Sequence, residues 1–122
     1  MTVTMPPNLP CKRGDVVLVL FPHSDLRTAK TRAALVVQAN DLETGMDQVI
    51  VAMISGRIFR AGHPSRVVID IGSPIGRASG LLGVSVVMAD NVATVSLLAI
   101  DRVIGSVPMP AIDDALRHTF AL

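Results

Sequence analysis

Two residues in this chain of 122 have types and positions suited to stabilising a developing negative charge. Arg32 stands just before the apolar run Ala33 to Gln38, and Ser55 just after the run Gln48 to Ile54. Both runs read as strands, and side chains where a strand leaves a packed sheet are rigid and exposed together. A guanidinium beside a hydroxyl makes a clamp for a phosphoryl or carboxyl oxygen. Spacing alone also admits plainer readings, in which Arg32 is a solvated strand-end charge and Ser55 opens a Ser-Gly turn.

Other chemistries find less support. His23, His63 and His118 share no metal-ligand spacing, and one cysteine, Cys11, makes neither a disulfide framework nor a cysteine zinc site, so no metal is expected. Cys11 reads as an inert thiol. Gly72 to Gly76 and Gly80 to Gly83 lack the Gly-Lys-Ser/Thr ending of a phosphate loop, and turn chemistry accounts for them. With Phe21, Phe59 and Phe120 as its only large aromatics, the chain has few platforms for stacking bases.

The positioning elements follow from periodicity. Strands are expected at Asp15 to Phe21, Ala33 to Gln38, Gln48 to Ile54, Arg66 to Ile71, Val84 to Ala89 with a kink or turn at Asp90-Asn91 and a continuation over Val92 to Val95, and Arg102 to Val107. Pro22 to Thr31, Asn40 to Asp47, Arg57 to Ser65 and Gly72 to Gly80 read as loops or turns. Ser96 to Ile100 reads as one helical turn, and Gly105 as a bulge or tight bend. From Pro110 the period changes: Ile112, Leu116 and Phe120 make one helical stripe, with Asp113 and Asp114 near its start and Arg117 and His118 near its end. Five or six short strands and one terminal helix predict a small, strongly bent barrel or sheet capped by that helix.

Composition sets the frame. An apolar share of 50% and a mean hydropathy of +0.53 exclude a disordered chain. Leu81 to Ile100 is too often interrupted by polar residues to span a membrane as a helix. Met1 to Pro10 has three prolines and no apolar stretch behind a basic one, so no signal peptide is expected and the setting reads as cytoplasmic. Residues 1–11 are expected to form a loose tail and 12–122 one domain. So much apolar surface on so small a domain predicts a homodimer. Net charge is only +1, but Lys12 to Arg66 holds eight basic residues against five acidic ones. Nine of the eleven basic residues are arginine, which fits either an anion-binding surface or arginine-rich codon usage.

These residues, in this order, resemble the PemK/MazF-like toxins. Lys12-Arg-Gly-Asp-Val-Val-Leu-Val-Leu-Phe21, followed by Lys30-Thr-Arg-Ala-Ala-Leu-Val-Val37, is similar to the family's opening. Met53-Ile-Ser55 is similar to its third-strand ending, Val86-Val-Met-Ala-Asp-Asn-Val92 to its Val-Leu-Ala-Asp-Gln-Val, and Arg102-Val-Ile-Gly-Ser-Val107 to the segment before its last helix. The likeness runs from about Lys12 to the C-terminus. It implies an SH3-like barrel with a C-terminal helix, a homodimer, and a metal-independent endoribonuclease without cofactor that cuts single-stranded RNA. It implies a cognate antitoxin with an acidic flexible tail.

On this resemblance the catalytic residues map to Arg32 and Ser55. Arg27, Lys30, Thr31 and Arg57 would line the RNA path. His23 and Asp25, in the same loop, are candidate proton acceptors. Three departures stand out: the family's Arg-Pro is Arg32-Ala33, Asn91 replaces a common Gln, and Met88 stands where a branch of the family has an arginine two residues before the conserved Asp, here Asp90. Asp90 is therefore expected to be structural. Two alternatives share the architecture, a non-catalytic CcdB-like interaction toxin and a degenerate member without activity.

Overall fold

The computed structural model describes residues 10–22 and 29–122. Six strands run as β1 (Asp15–Pro22), β2 (Ala29–Val36), β3 (Gln48–Ser55), β4 (Arg66–Ile69), β5 (Ser85–Ser96) and β6 (Ile100–Ser106). Two helices, α1 (Pro74–Ser79) and α2 (Pro110–Phe120), and two single 3-10 turns, Ile58–Arg60 and Leu97–Ala99, complete the order. The strands form one sheet in the order β4-β5-β3-β2-β1-β6, with antiparallel neighbours throughout.

Period-two alternation gives the sheet two apolar faces. One gathers Val17, Val19, Ala34, Val36, Val49, Val51 and Val95, with Cys11 beside them. The other gathers Val16, Leu35, Ala52, Ile69 and Val87, and meets Ile112 of α2. Ile112 and Ala115 are buried, whereas Phe120, expected on the same stripe, is 55% exposed because it lies at the last turn of the helix. Arg13 ties α2 to the sheet: its guanidinium donates to Asp113 Oδ1 (2.6 Å) and to the carbonyl of Val37 (3.0 Å).

The sheet is bent by three register shifts. Two lie between β1 and β6, at Val16/Val17 and Leu18/Val19. The third lies between β3 and β5: Ala52 faces Val92 but Met53 faces Met88, so Ala89, Asp90 and Asn91 have no partner on β3. Such bulges re-aim side chains and deepen the twist. Among the described residues no ladder joins the edge strands β4 and β6, so the expected barrel is here an open, bent sheet capped by α2.

Other expectations are corrected locally. The second strand starts at Ala29 rather than Ala33, so Arg32 lies within β2 and faces Val19. The loop expected over Gly72 to Gly80 holds α1. Ser73 Oγ accepts from the Gly76 amide, Pro74 occupies the first turn, and Gly80 closes the helix at φ +74°. Gly105 lies against the Ser79 backbone, where a Cβ would collide, so its small size lets α1 seat on β6. Cys11 is buried, and that burial, with Asp15 nearby, pushes its thiol above the ordinary range. A thiol so placed is kept protonated and unreactive.

Candidate nucleic-acid interface

The site begins where the β2–β3 ladder stops. Its pairs are Val36 with Val51, Leu35 with Ala52, and Ala34 with Met53. Continued two steps, that register sets Arg32 opposite Ser55. Two-residue periodicity puts both on the face of Ala34 and Met53, the face of the first apolar cluster. Beyond Ala34 and Met53 the ladder gives way to a groove of about 400 Å³. It is lined by Lys30 and Arg32 from β2, Met53 to Ser55 from β3, Gly56 and Arg57 after it, Arg60 from the 3-10 turn, and Met88 and Asn91 from β5.

Four of these residues are cationic, Lys30, Arg32, Arg57 and Arg60, and the described lining includes no carboxylate. Four cations around one concave surface attract an anion and hold it by phosphate-type contacts. Arg32 is exposed and Ser55 half-buried. The Arg57 amide donates to Ser55 Oγ (3.1 Å). That bond fixes the rotamer and occupies a lone pair, which leaves the hydroxyl proton for an incoming oxygen. The turn and clamp readings of Ser55 are thus compatible.

Of the residues expected from sequence, Arg32, Ser55, Lys30 and Arg57 come together in the groove. Thr31 faces Leu20 on β1, falls by alternation on the opposite face of β2, and does not line the groove. His23, Asp25 and Arg27 lie outside the described residues. Sequence reasoning missed Arg60, Met53, Met88 and Asn91 as lining. Arg60 could have been found as one more cation of the loop after Ser55; the kink expected at Asp90-Asn91 is the bulge of β5, but the sequence does not show that it brings Met88 and Asn91 to the groove.

Asp90, expected to be structural, does not line the groove. It forms an ion pair with Arg66: Nη2 donates to Oδ2 (2.9 Å) and Nε to Oδ1 (3.4 Å). Arg66 faces Met88 across the β4–β5 ladder. An arginine thus reaches Asp90 from the neighbouring strand, although position 88 carries methionine. These hydrogen bonds chiefly hold the Asp90 carboxyl below the ordinary carboxylate range and raise the Arg66 guanidinium above its own. Among the described residues no three metal-ligating side chains come together.

The family model for PemK-like, MazF-like toxins of type II toxin-antitoxin systems matches residues 12–120. The chain belongs to this family. No curated protein matches it. Among solved structures, similar folds include an endoribonuclease in complex with its cognate antitoxin from a mycobacterial species, at TM-score 0.71 and 22% identity, covering 92% of this chain and 96% of that one. The Mycobacterium tuberculosis toxin MazF-mt6 is similar at TM-score 0.68 and 24% identity, covering 88% and 97%. A MazE-MazF structure from Deinococcus radiodurans is similar at TM-score 0.68 and 15% identity, covering 93% and 96%. At these identities the likeness speaks to the fold. The open sheet capped by its last helix is the PemK/MazF fold, and no helix among the described residues is long and apolar enough to cross a membrane.

Proposed function

We propose that this PemK/MazF-like toxin is a metal-independent endoribonuclease that cuts single-stranded RNA, with Arg32 and Ser55 as its catalytic residues. The observation that carries the reading is that Arg32 and Ser55 line one cationic groove together, just past the end of the β2–β3 ladder. A phosphodiester supplies the anion that such a groove fits. A ribose adds its own nucleophile, so no metal-activated water is required.

In the proposed reaction the 2′-oxygen attacks phosphorus while the bond from phosphorus to the 5′-oxygen breaks. The products are a 2′,3′-cyclic phosphate and a 5′-hydroxyl, the 2′-hydroxyl giving up one proton to an acceptor and the departing 5′-oxygen taking one up from solvent. Negative charge grows on the non-bridging oxygens in between. Arg32 pairs with that charge, and the Ser55 hydroxyl donates one hydrogen bond to it. A preorganised donor of this kind is worth about 10²–10³ in rate. A guanidinium stays protonated at neutral pH, so Arg32 stabilises charge and does not accept the 2′-hydroxyl proton. No described groove residue is a carboxylate or an imidazole, which leaves His23 and Asp25 as candidates for that acceptor. Lys30, Arg57 and Arg60 hold flanking phosphates.

The same reading includes a homodimer in the cytoplasm, built over exposed apolar residues such as Leu98 and Leu122. It also includes an antitoxin whose acidic flexible tail occupies the cationic groove and competes with RNA. Incubation of the purified protein with a long single-stranded RNA in EDTA tests the reading. Discrete products ending in cyclic phosphate are expected. Strict dependence on an added divalent cation, or intact RNA after incubation with folded protein, would contradict it.

A further inference from the structure

Arg66 lies outside the groove but touches two segments that line it. Its Nη2 and Nε grip Asp90, in the part of β5 that has no partner on β3. Its Nη1 donates to the backbone carbonyl of Arg60 (3.1 Å) in the 3-10 turn. Asn91 follows Asp90 and lines the groove, as does the Arg60 side chain. One planar guanidinium therefore spans two walls that no ladder between β3 and β5 holds together at that point.

The surroundings sharpen its role. The Arg60 guanidinium approaches Met88 Sδ at 3.6 Å and stands 5.9 Å from the centroid of the Phe59 ring, which is 78% exposed. The cation and ring at this wall are thus set by a turn whose last carbonyl Arg66 holds. The Ala89 amide donates to the carbonyl of Ser65 (2.9 Å), so the residues flanking the ion pair are joined by backbone as well. An exposed ion pair alone contributes little stability. A three-acceptor fork joining the 3-10 turn to β5 acts on geometry instead, and lysine, with one nitrogen, cannot reproduce it.

We infer that Arg66 is a positioning residue that, through Asp90 and the Arg60 carbonyl, sets Arg60 and Asn91 as one wall of the RNA groove and so governs substrate affinity rather than the chemical step. The inference rests on the endoribonuclease reading above. Its test measures kcat and KM on single-stranded RNA for wild type, Arg66→Ala, Arg66→Lys, Asp90→Asn, Arg60→Ala and the Arg66→Ala/Arg60→Ala double variant, with thermal unfolding of each. Arg66→Ala and Asp90→Asn should each raise KM about tenfold while kcat stays within about twofold. Arg66→Lys should recover only part of the loss. Because Arg66 acts through Arg60, the Arg60→Ala loss should shrink to less than about twofold in the Arg66→Ala background. Asp114→Asn, which breaks an exposed pair on α2, should leave both constants unchanged.

Asp90→Asn keeps the side chain's size, so it carries the test if Arg66→Ala unfolds. Unchanged KM in both Arg66→Ala and Asp90→Asn, beside a raised KM in Arg60→Ala, would overturn the inference alone. So would Arg60→Ala and Arg66→Ala losses that simply multiply. Wild type that cuts no RNA would overturn the endoribonuclease reading and the positioning role together.

Discussion

The two faces of the sheet follow the same alternation and end differently. On one, Leu35, Ala52 and Val87 are buried with Ile112 of α2, and the surface between them is apolar. On the other, Ala34 and Val51 are as well buried, but further along the same rows, two residues from Ala34 and four from Val51, stand Arg32 and Ser55, beside a groove. Strand pattern is therefore not what separates core from site. The difference lies in what covers the last residues: a helix on one face, and on the other a parting of β2 from β3 with a bulge in β5 beside it. The apolar end fixes the fold, and the cationic end is free to carry chemistry at little cost to stability.

Substitutions on the two faces should separate accordingly. Arg32→Ala is expected to lower kcat/KM for RNA by about 10²–10³ and to leave unfolding within about 0.5 kcal/mol of wild type, read by cleavage kinetics beside denaturant melts. Ile112→Ala should do the reverse. It should cost about 2–5 kcal/mol of stability while cleavage per folded molecule is retained. A stability loss from Arg32→Ala as large as that from Ile112→Ala would erase the contrast between the faces.

Smaller effects should refine it. Lys30→Ala and Arg57→Ala should each weaken RNA binding severalfold, whatever the base sequence, and flatten the log–log salt dependence by about 0.7 for each phosphate that is no longer neutralised. The Arg66–Asp90 pair should show itself in acid. Asp90 is held below the ordinary carboxylate range in the folded state, so its contribution is fully present above the unfolded value and is lost as pH falls through the folded one. The gap in unfolding temperature between wild type and Asp90→Asn should therefore be open at neutral pH and narrow as pH falls below the ordinary carboxylate range. Arg117→Ala, on an exposed α2 pair, should change stability by no more than about 0.5 kcal/mol.

The fold was largely legible in the sequence because the apolar, β-branched runs of β1, β3 and β5 and the stripe of α2 are properties of the local chain. The misses are of another kind. α1 carried its signals in Ser73, Pro74 and Gly80, but glycine, serine and proline serve loops equally well, and the helix is secured by its close seat on Gly105. The register shifts that bend the sheet depend on contacts distant in sequence. In the site, Arg32, Ser55, Lys30 and Arg57 were accessible through type, position and the PemK/MazF resemblance. Arg60, Met88 and Asn91 were not, since the β5 bulge and the 3-10 turn bring them in. The partner of Asp90 was hidden for a similar reason: Arg66 reaches it across a ladder, from 24 residues away in the chain.

The most direct test of the central claim is single-turnover cleavage of one RNA in EDTA by wild type, Arg32→Ala and Ser55→Ala, all confirmed folded by the same melting transition. The account predicts cyclic-phosphate products from wild type, losses of about 10²–10³ for Arg32→Ala and of at least about tenfold for Ser55→Ala, and no product when the 2′-hydroxyl at the cut is replaced by hydrogen. Wild-type rates from Arg32→Ala, or cleavage at a site lacking its 2′-hydroxyl, would contradict it.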